Sequence, residues 1–192
     1  AASPVSYGVR ASSSHVLISG VNVEDRGYIT SAGIELADWG AVSDSNITVS
    51  GAGGSGLLLA GSNNSVAHSS ITANTASSYA AVSLHSASSN TFSQCYIYHD
   101  GGGMQLQSSS HNTISRSTVN YLSLTNSSFN TITQSSLREV DFFTNANANT
   151  ISQSTITGGF DGLYLSGASS NVVTRSVIAA QRGLWLDPNS NG

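Results

Sequence analysis

The chain has 192 residues, 39% of them hydrophobic and only 8% charged, with a formal net charge of −4. Disorder is excluded by that small net charge and by recurring Val, Ile, Leu and Thr, while the abundant Ser, Asn and Gly are turn residues. All six basic residues are arginine and form no basic stripe, so no nucleic-acid partner is expected, and no apolar run of about 18 residues exists to span a membrane.

In chain order, a four-residue pattern of small, apolar, variable and apolar residues opens at Gly8-Val9-Arg10-Ala11. It returns at Gly33–Leu36, Gly56–Leu59, Ala81–Leu84, Gly103–Leu106, Tyr121–Leu124, Glu139–Phe142, Gly162–Leu165 and Gly183–Leu186. Its period of two predicts nine short strands with the apolar residues facing inward. No stretch carries the 3.6-residue period of a helix.

Between the strand motifs runs a second repeat. It reads Asn112-Thr113-Ile114-Ser115-Arg116-Ser117-Thr118-Val119, then starts again at Asn130 and Asn149, with looser copies at Asn64, Asn90 and Asn171. The two earliest copies are placed at His15-Val16 and Asn46-Ile47. The first apolar residues are then Val16, Ile47, Val66, Phe92, Ile114, Ile132, Ile151 and Val173, spaced 31, 19, 26, 22, 18, 19 and 22 residues apart. A repeat of about 20 residues lies in the range of β-solenoids. One rung cannot bury its apolar face alone, but stacked rungs pair every backbone group with the rungs above and below, about 4.8 Å apart.

The fold expected is therefore all-β: one right-handed parallel β-helix over residues 1–192, with three strands per rung and about 8–9 rungs. Ser69, Cys95, Ser117, Ser135, Ser154 and Ser176 fall in one column, so Cys95 reads as a buried replacement for serine, and a lone cysteine forms no internal disulfide. Asn is expected at the turns, where it tolerates left-handed geometry and can stack its amides along the axis. Longer loops are expected near 24–31 and 73–80, where function often sits on a solenoid.

The S-x-N-T-I-x-x-S-x-I rung resembles the right-handed parallel β-helix superfamily that includes pectate lyases, mannuronan epimerases and NosD-like repeats, over most of residues 5–187. The resemblance implies the architecture; activity does not follow, because the fold hosts enzymes, adhesins and structural rods. The enzymes of the superfamily draw acid, base and charge neutraliser from one exposed sheet. The local candidate for that chemistry is Tyr98-His99-Asp100 beside Gly101–Gly103, near Arg116 and Arg138. The full epimerase motif and the paired aspartates of a galacturonase are absent, so a polar strand end is expected there, and no catalytic centre.

No metal site or cofactor is expected, because His15, His68, His85, His99 and His111 are scattered over several rungs. The variable residues of the strand motif point outward, and Asp141, Tyr164 and Trp185 fall on three consecutive rungs as a candidate binding surface for a sugar ring or a protein. Arg10 and Glu35 are expected to pair. No amphipathic helix caps either end, so Val9, Ala11, Leu184 and Leu186 form a candidate interface for end-to-end stacking. A lysine-free chain that begins Ala1-Ala2-Ser3-Pro4 suggests an exported protein, secreted or on the cell surface. The function expected is a non-enzymatic structural solenoid that assembles as a homo-oligomeric filament or forms a segment of a larger surface protein. The alternative is a carbohydrate-binding or carbohydrate-active module of the lyase or epimerase kind, with a polysaccharide partner.

Overall fold

The computed structural model describes residues 3–50, 53–74 and 80–190, and every regular element in it is a β-strand. The strands stack in three parallel ladders. The first ladder begins with Val5–Ala11, Ile29–Leu36, Ser55–Leu59, Val82–His85 and Met104–Gln107. It continues through the second halves of Thr118–Thr125 and Ser136–Phe143 and closes with Asp161–Ser166 and Arg182–Leu186. The second ladder holds eight three-residue strands, from Leu17–Ser19 to Val172–Thr174. The third runs from Asn22–Glu24 through Asn46–Val49, Ser70–Ala73 and Tyr96–His99 to Val177–Ile178. About eight turns result, with the three strands per rung that the repeat predicts.

Register confirms the inward columns from Val66 onward and corrects the two earliest rungs. Ile18, Val42, Val66, Phe92, Ile114, Ile132, Ile151 and Val173 stack in the second ladder. Ile47 lies instead in the third ladder, between Val23 and Ile71, and Val16 lies in the turn before the second. The true spacings from Ile18 are 24, 24, 26, 22, 18, 19 and 22 residues, so the apparent 31-residue rung vanishes. The long 24–31 loop also shrinks, because the strand Ile29–Leu36 already begins inside it. Of the expected 73–80 loop, residues 75–79 lie outside the described residues.

Two polar columns stitch the rungs together inside the turns. The backbone N–H of Cys95, Ser117, Ser135 and Ser154 each donates to the hydroxyl of the next rung's serine, at 3.1–3.2 Å. Cys95 occupies this column with its sulfur 3.4 Å from the Ser93 carbonyl, and burial pushes its thiol up from the ordinary value. Asn64, Asn90, Asn112, Asn130, Asn149 and Asn171 form the other column. Each of the middle four sends its backbone N–H and its amide to the Oδ1 of the next asparagine, at 2.8–3.1 Å. The left-handed conformation falls on the residue before each asparagine: Asn63 (φ 61°), Ser89 (59°), His111 (60°) and Phe129 (58°). The asparagine itself is turned inward, and its amide replaces the solvent that the bend's backbone would otherwise need.

The small first residue of the strand motif also has a steric cause. A Cβ on Gly56 would stand 2.6 Å from Ile71 Cγ2, and one on Gly33 would stand 2.8 Å from Ile47 Cγ2. At this corner between the third and first ladders the buried isoleucine leaves Gly33 and Gly56 no room for a Cβ, whereas Ala81 finds room for one. Tyr121 and Glu139 break this rule. In their rungs the corner is absent and one eight-residue strand carries straight from the third ladder into the first. The expectation of a small residue there is wrong for these two rungs, and both side chains stand outside.

Candidate functional site

The outward column of the first ladder is unbroken. Arg10, Glu35, Leu58, Ser83, Gln105, Ser123, Asp141, Tyr164 and Trp185 stack rung on rung, as the motif predicts. Arg10 Nε donates to Glu35 Oε1 at 3.3 Å, which makes the expected pair. Beside the column lies a groove of about 500 Å³ floored by Ser83, Gln105 and Gln107, with Tyr7 and His85 on its walls. A smaller cleft of about 180 Å³ continues it past Gln105 to Ser123 and Thr125. Hydroxyls and amides share this surface with apolar side chains such as Leu58.

The groove leads toward an acidic corner. Tyr121 and Glu139 are register partners, and Asp141 stands two residues along the same strand as Glu139. The Tyr121 hydroxyl donates to Asp141 Oδ2 in a short hydrogen bond. Asp141 is only 7% exposed, and its Oδ1 has no donor. Burial pushes the Asp141 carboxyl up, the Tyr121 bond draws it down, and the charge of Asp161 raises it again; the net is upward. Glu139 is raised by burial and by Asp141 and Asp161, against the pull of Arg138. Tyr121 is raised by burial first, then by its bond to Asp141 and the two nearby carboxylates. These three groups hold their protons more tightly than they would in water.

A cleft of about 300 Å³ joins this corner to the earlier candidate. It is lined by Asp100, Gly101, Asn120, Tyr121, Arg138 and Glu139. The Tyr98-His99-Asp100 cluster itself is divided by strand alternation. Tyr98 donates its hydroxyl to Asp100 Oδ1 at 2.5 Å on the outside, and that bond raises the Tyr98 phenol. His99 is buried, and its Nδ1 accepts the Gly101 N–H at 2.8 Å. Its imidazole shapes the Gly101–Gly103 turn and does not face the cleft with its neighbours. Asp100 therefore reaches the corner and His99 does not.

Tyr164 and Trp185 are stacked on each other, with ring centroids 4.5 Å apart, and Phe143 meets Tyr164 edge-on at 5.7 Å. Arg182 lies 3.9 Å over the Trp185 ring and 4.4 Å over Phe160, and holds Asp161 by two bonds of 2.6 and 2.7 Å. The ring faces are thus largely consumed by one another and by Arg182, which makes the pair a wall and cross-strand brace at the end of the groove. The residues that sequence reasoning missed are Tyr121, Glu139, Asp161 and Arg182. For the first two the signal was present, as large or charged residues at a position otherwise held by Gly or Ala.

The histidines stay dispersed: His15 stacks on Trp39, His111 on Phe129, and His68 bonds Gln94. Among the described residues, no three His, Cys, Asp or Glu side chains converge on a cation position. At the ends, Val9, Leu184 and Leu186 are 36%, 53% and 48% exposed, whereas Ala11 is buried against its own neighbours.

The three ladders agree with the sequence-family comparison, in which the right handed beta helix region matches residues 7–137. The chain belongs to the right-handed β-helix family. Among solved structures, the alginate lyase from Paenibacillus sp. is similar at 10% identity and a TM-score of 0.47, over 89% of this chain and 80% of that one. The plasmid-mediated fluoroquinolone resistance protein QnrB1 is similar at 15% identity and a TM-score of 0.37, over 94% and 91%. HetL, a pentapeptide repeat protein from the cyanobacterium Nostoc sp., is similar at 12% identity and a TM-score of 0.23, over 93% and 89%. A search of the curated proteins finds no match.

Proposed function

We propose that this β-helix binds an extended polyhydroxylated chain, a polysaccharide, along the outer face of its first ladder. The carrying observation is the pair of clefts that follow the first ladder, lined by Gln105 and Gln107 and then by Ser123 and Thr125, with Asp141 the register partner of Ser123 on the next rung. Repeated hydroxyls and amides offer both donors and acceptors to sugar hydroxyls, and a linear polymer matches a groove built from identical rungs. The nearby Tyr121, Glu139 and Asp141 supply proton-holding groups of the kind acid–base chemistry on a sugar requires. The same lysine-free, weakly charged composition supports a place outside the cytoplasm. The test is affinity electrophoresis against a panel of polysaccharides with wild type and Gln105→Ala/Ser123→Leu. Retardation by at least one polymer, lost in the variant, is expected; wild-type mobility unchanged in every gel refutes the reading.

A second reading, end-to-end assembly into a filament, is favoured by the half-exposed apolar residues of the terminal rungs, Val9, Leu184 and Leu186. Electron microscopy and solution mass test it. Filaments abolished by Leu184→Asp support it, and discrete monomers refute it.

A further inference from the structure

We infer that the outer face of the second ladder binds ice, holding crystalline water on a flat grid of threonine and serine. This face is separate from the groove, and its activity is independent of the polysaccharide reading. By strand alternation, each of the eight three-residue strands sends its middle residue inward and its first and third residues outward. One outward column reads Ser65, Thr91, Thr113, Thr131 and Thr150. The other reads Ser93, Ser115, Thr133, Ser152 and Thr174, with Ser19 and Ser43 on the earliest rungs. The remaining outward positions, Leu17, Ala41, Ala67 and Val172, are apolar, so the face carries no charge.

Threonine suits any strand, but strand propensity does not select one face of three. The outward positions of the first ladder include Arg10, Glu35, Asp141 and Trp185, and those of the third include Glu24, Tyr96 and Tyr98. On the second ladder the nearest charges, Arg116 and Arg175, stand in left-handed turn residues just past the strand ends.

The grid has regular dimensions. Rungs stand about 4.8 Å apart and the two columns about 6.6 Å apart. These repeats, nearly at right angles, come close to the oxygen spacings along the two axes of an ice prism face. The grid is also stiff. The asparagine column lies immediately before these strands and the serine column just after them, and both tie rung to rung at 2.8–3.2 Å. Rungs vary from 18 to 26 residues, yet every strand of this ladder keeps three residues in unbroken register. Insertions are thus absorbed at the other corners.

Among the described residues, the hydroxyls of Thr91, Thr113, Thr131 and Thr150 take no protein hydrogen bond and are left to water. In the other column some are linked along the axis, Ser43 to Ser19 at 2.9 Å and Ser152 to Thr133 at 3.1 Å. A charged group holds a hydration shell that fits no crystal. Methyl groups between hydroxyls instead restrict the orientation of first-layer water, and the hydroxyls both donate to it and accept from it. Threonine is stiff at χ1, so little side-chain entropy opposes adsorption.

The experiment is nanolitre osmometry of the full chain, with ice recrystallisation scored in parallel. The wild type is expected to hold ice without growth across a gap below the melting point and to suppress recrystallisation. Thr113→Lys/Thr131→Lys, checked by circular dichroism, is expected to lose both effects, because two long cations interrupt the grid near its centre. Thr155→Lys, exposed on the third ladder, is expected to keep both. Ala67→Thr, which fills a vacancy in the second column, is expected to widen the freezing gap. A folded wild type with neither effect overturns the inference. So does activity that survives Thr113→Lys/Thr131→Lys, or that Thr155→Lys removes equally. Capture of the wild type on crystalline cellulose or chitin, lost in the double variant and without any effect on ice, also overturns it and gives the face to an insoluble polysaccharide.

Discussion

Tyr121 and Asp141 stand on adjacent rungs, diagonal to one another across the first ladder, and the phenol gives its one hydrogen to Asp141 Oδ2 while Oδ1 receives none. Burial therefore leaves the folded protein holding the Asp141 proton more tightly than the ordinary value of 3.8 would have it. Because the native state binds this proton more tightly than the unfolded chain, the group's contribution to stability is complete below pH 3.8 and is lost as pH rises through the raised native value. Asp141→Asn removes the buried charge and is expected to stabilise the protein by about 1 kcal/mol at pH 7, with no gain below pH 3.8. Urea denaturation at the two pH values checks it; equal effects at both contradict it.

Tyr121→Phe strips the remaining donor from Asp141 without changing the ring. A loss of about 1–3 kcal/mol at pH 7 is expected, the range for a hydrogen bond to a charged group. The loss should shrink in acid, where the protonated carboxyl needs less help. The same urea series reads it.

Asp25 shows the opposite pH dependence. Its Oδ1 accepts the N–H groups of Gly27, Tyr28 and Ile29 at 2.7–3.0 Å, and its Oδ2 accepts that of Ser50 at 3.2 Å. Burial pushes this carboxyl up, but the bonds from Tyr28, Ile29, Ser50 and Gly27 outweigh burial and leave it below 3.8. Its stabilisation is present above pH 3.8 and is lost as pH falls through the lowered native value. Asp25→Ala is expected to cost about 2 kcal/mol at pH 7. It should also raise hydrogen exchange first at Tyr28 and Ile29. Uniform exchange across the chain would count against a local clamp.

Asn130 accepts two hydrogen bonds from Asn112 and makes two more to Asn149. Asn130→Ala leaves the buried backbone N–H of Asn112 without an acceptor and is expected to cost about 2–3 kcal/mol. Asn130→Asp keeps the acceptor but buries a charge, so it should be milder at pH 3 than at pH 7. Thermal melts of the two variants at both pH values separate the effects.

Cys95→Ser restores the residue found at Ser69, Ser117, Ser135 and Ser154, whose hydroxyls bond the carbonyl two residues back at 2.8–2.9 Å. The substitution is expected to lie within about 0.5 kcal/mol of wild type. In the wild type the buried, raised thiol should react with a thiol reagent only on unfolding. Rapid labelling of the folded chain is the contrary result.

The strand motif could be read in the sequence because inward residues at period two leave a repeating mark whatever the loop lengths. The earliest rungs could not, because Val16 and Ile47 mimic the repeat while Ile18 and Val42, the true ladder members, lack its Asn-Thr setting. Asp141, Tyr164 and Trp185 were placed on one face by register alone. That Tyr164 and Trp185 spend their faces on each other depends on rotamers, which spacing does not encode. Tyr121 and Glu139 fit the apolar alternation of the motif, and only their size, at a position otherwise held by Gly or Ala, marks the rungs where one strand runs through the corner.

The asparagine column has a direction. From Asn64 to Asn149 each backbone N–H donates to the Oδ1 of the next rung's asparagine, while from Asn90 onward the N–H that follows the asparagine donates back to the carbonyl of the asparagine before. The backbone dipoles therefore alternate and leave little net field along the rod; the direction lies in the side chains, whose Oδ1 atoms all face the rung before. The column begins at Asn64, whose Oδ1 takes the Gly40 N–H, so on that side it is closed by plain backbone, and a further rung extends it only by bringing an acceptor to Asn171.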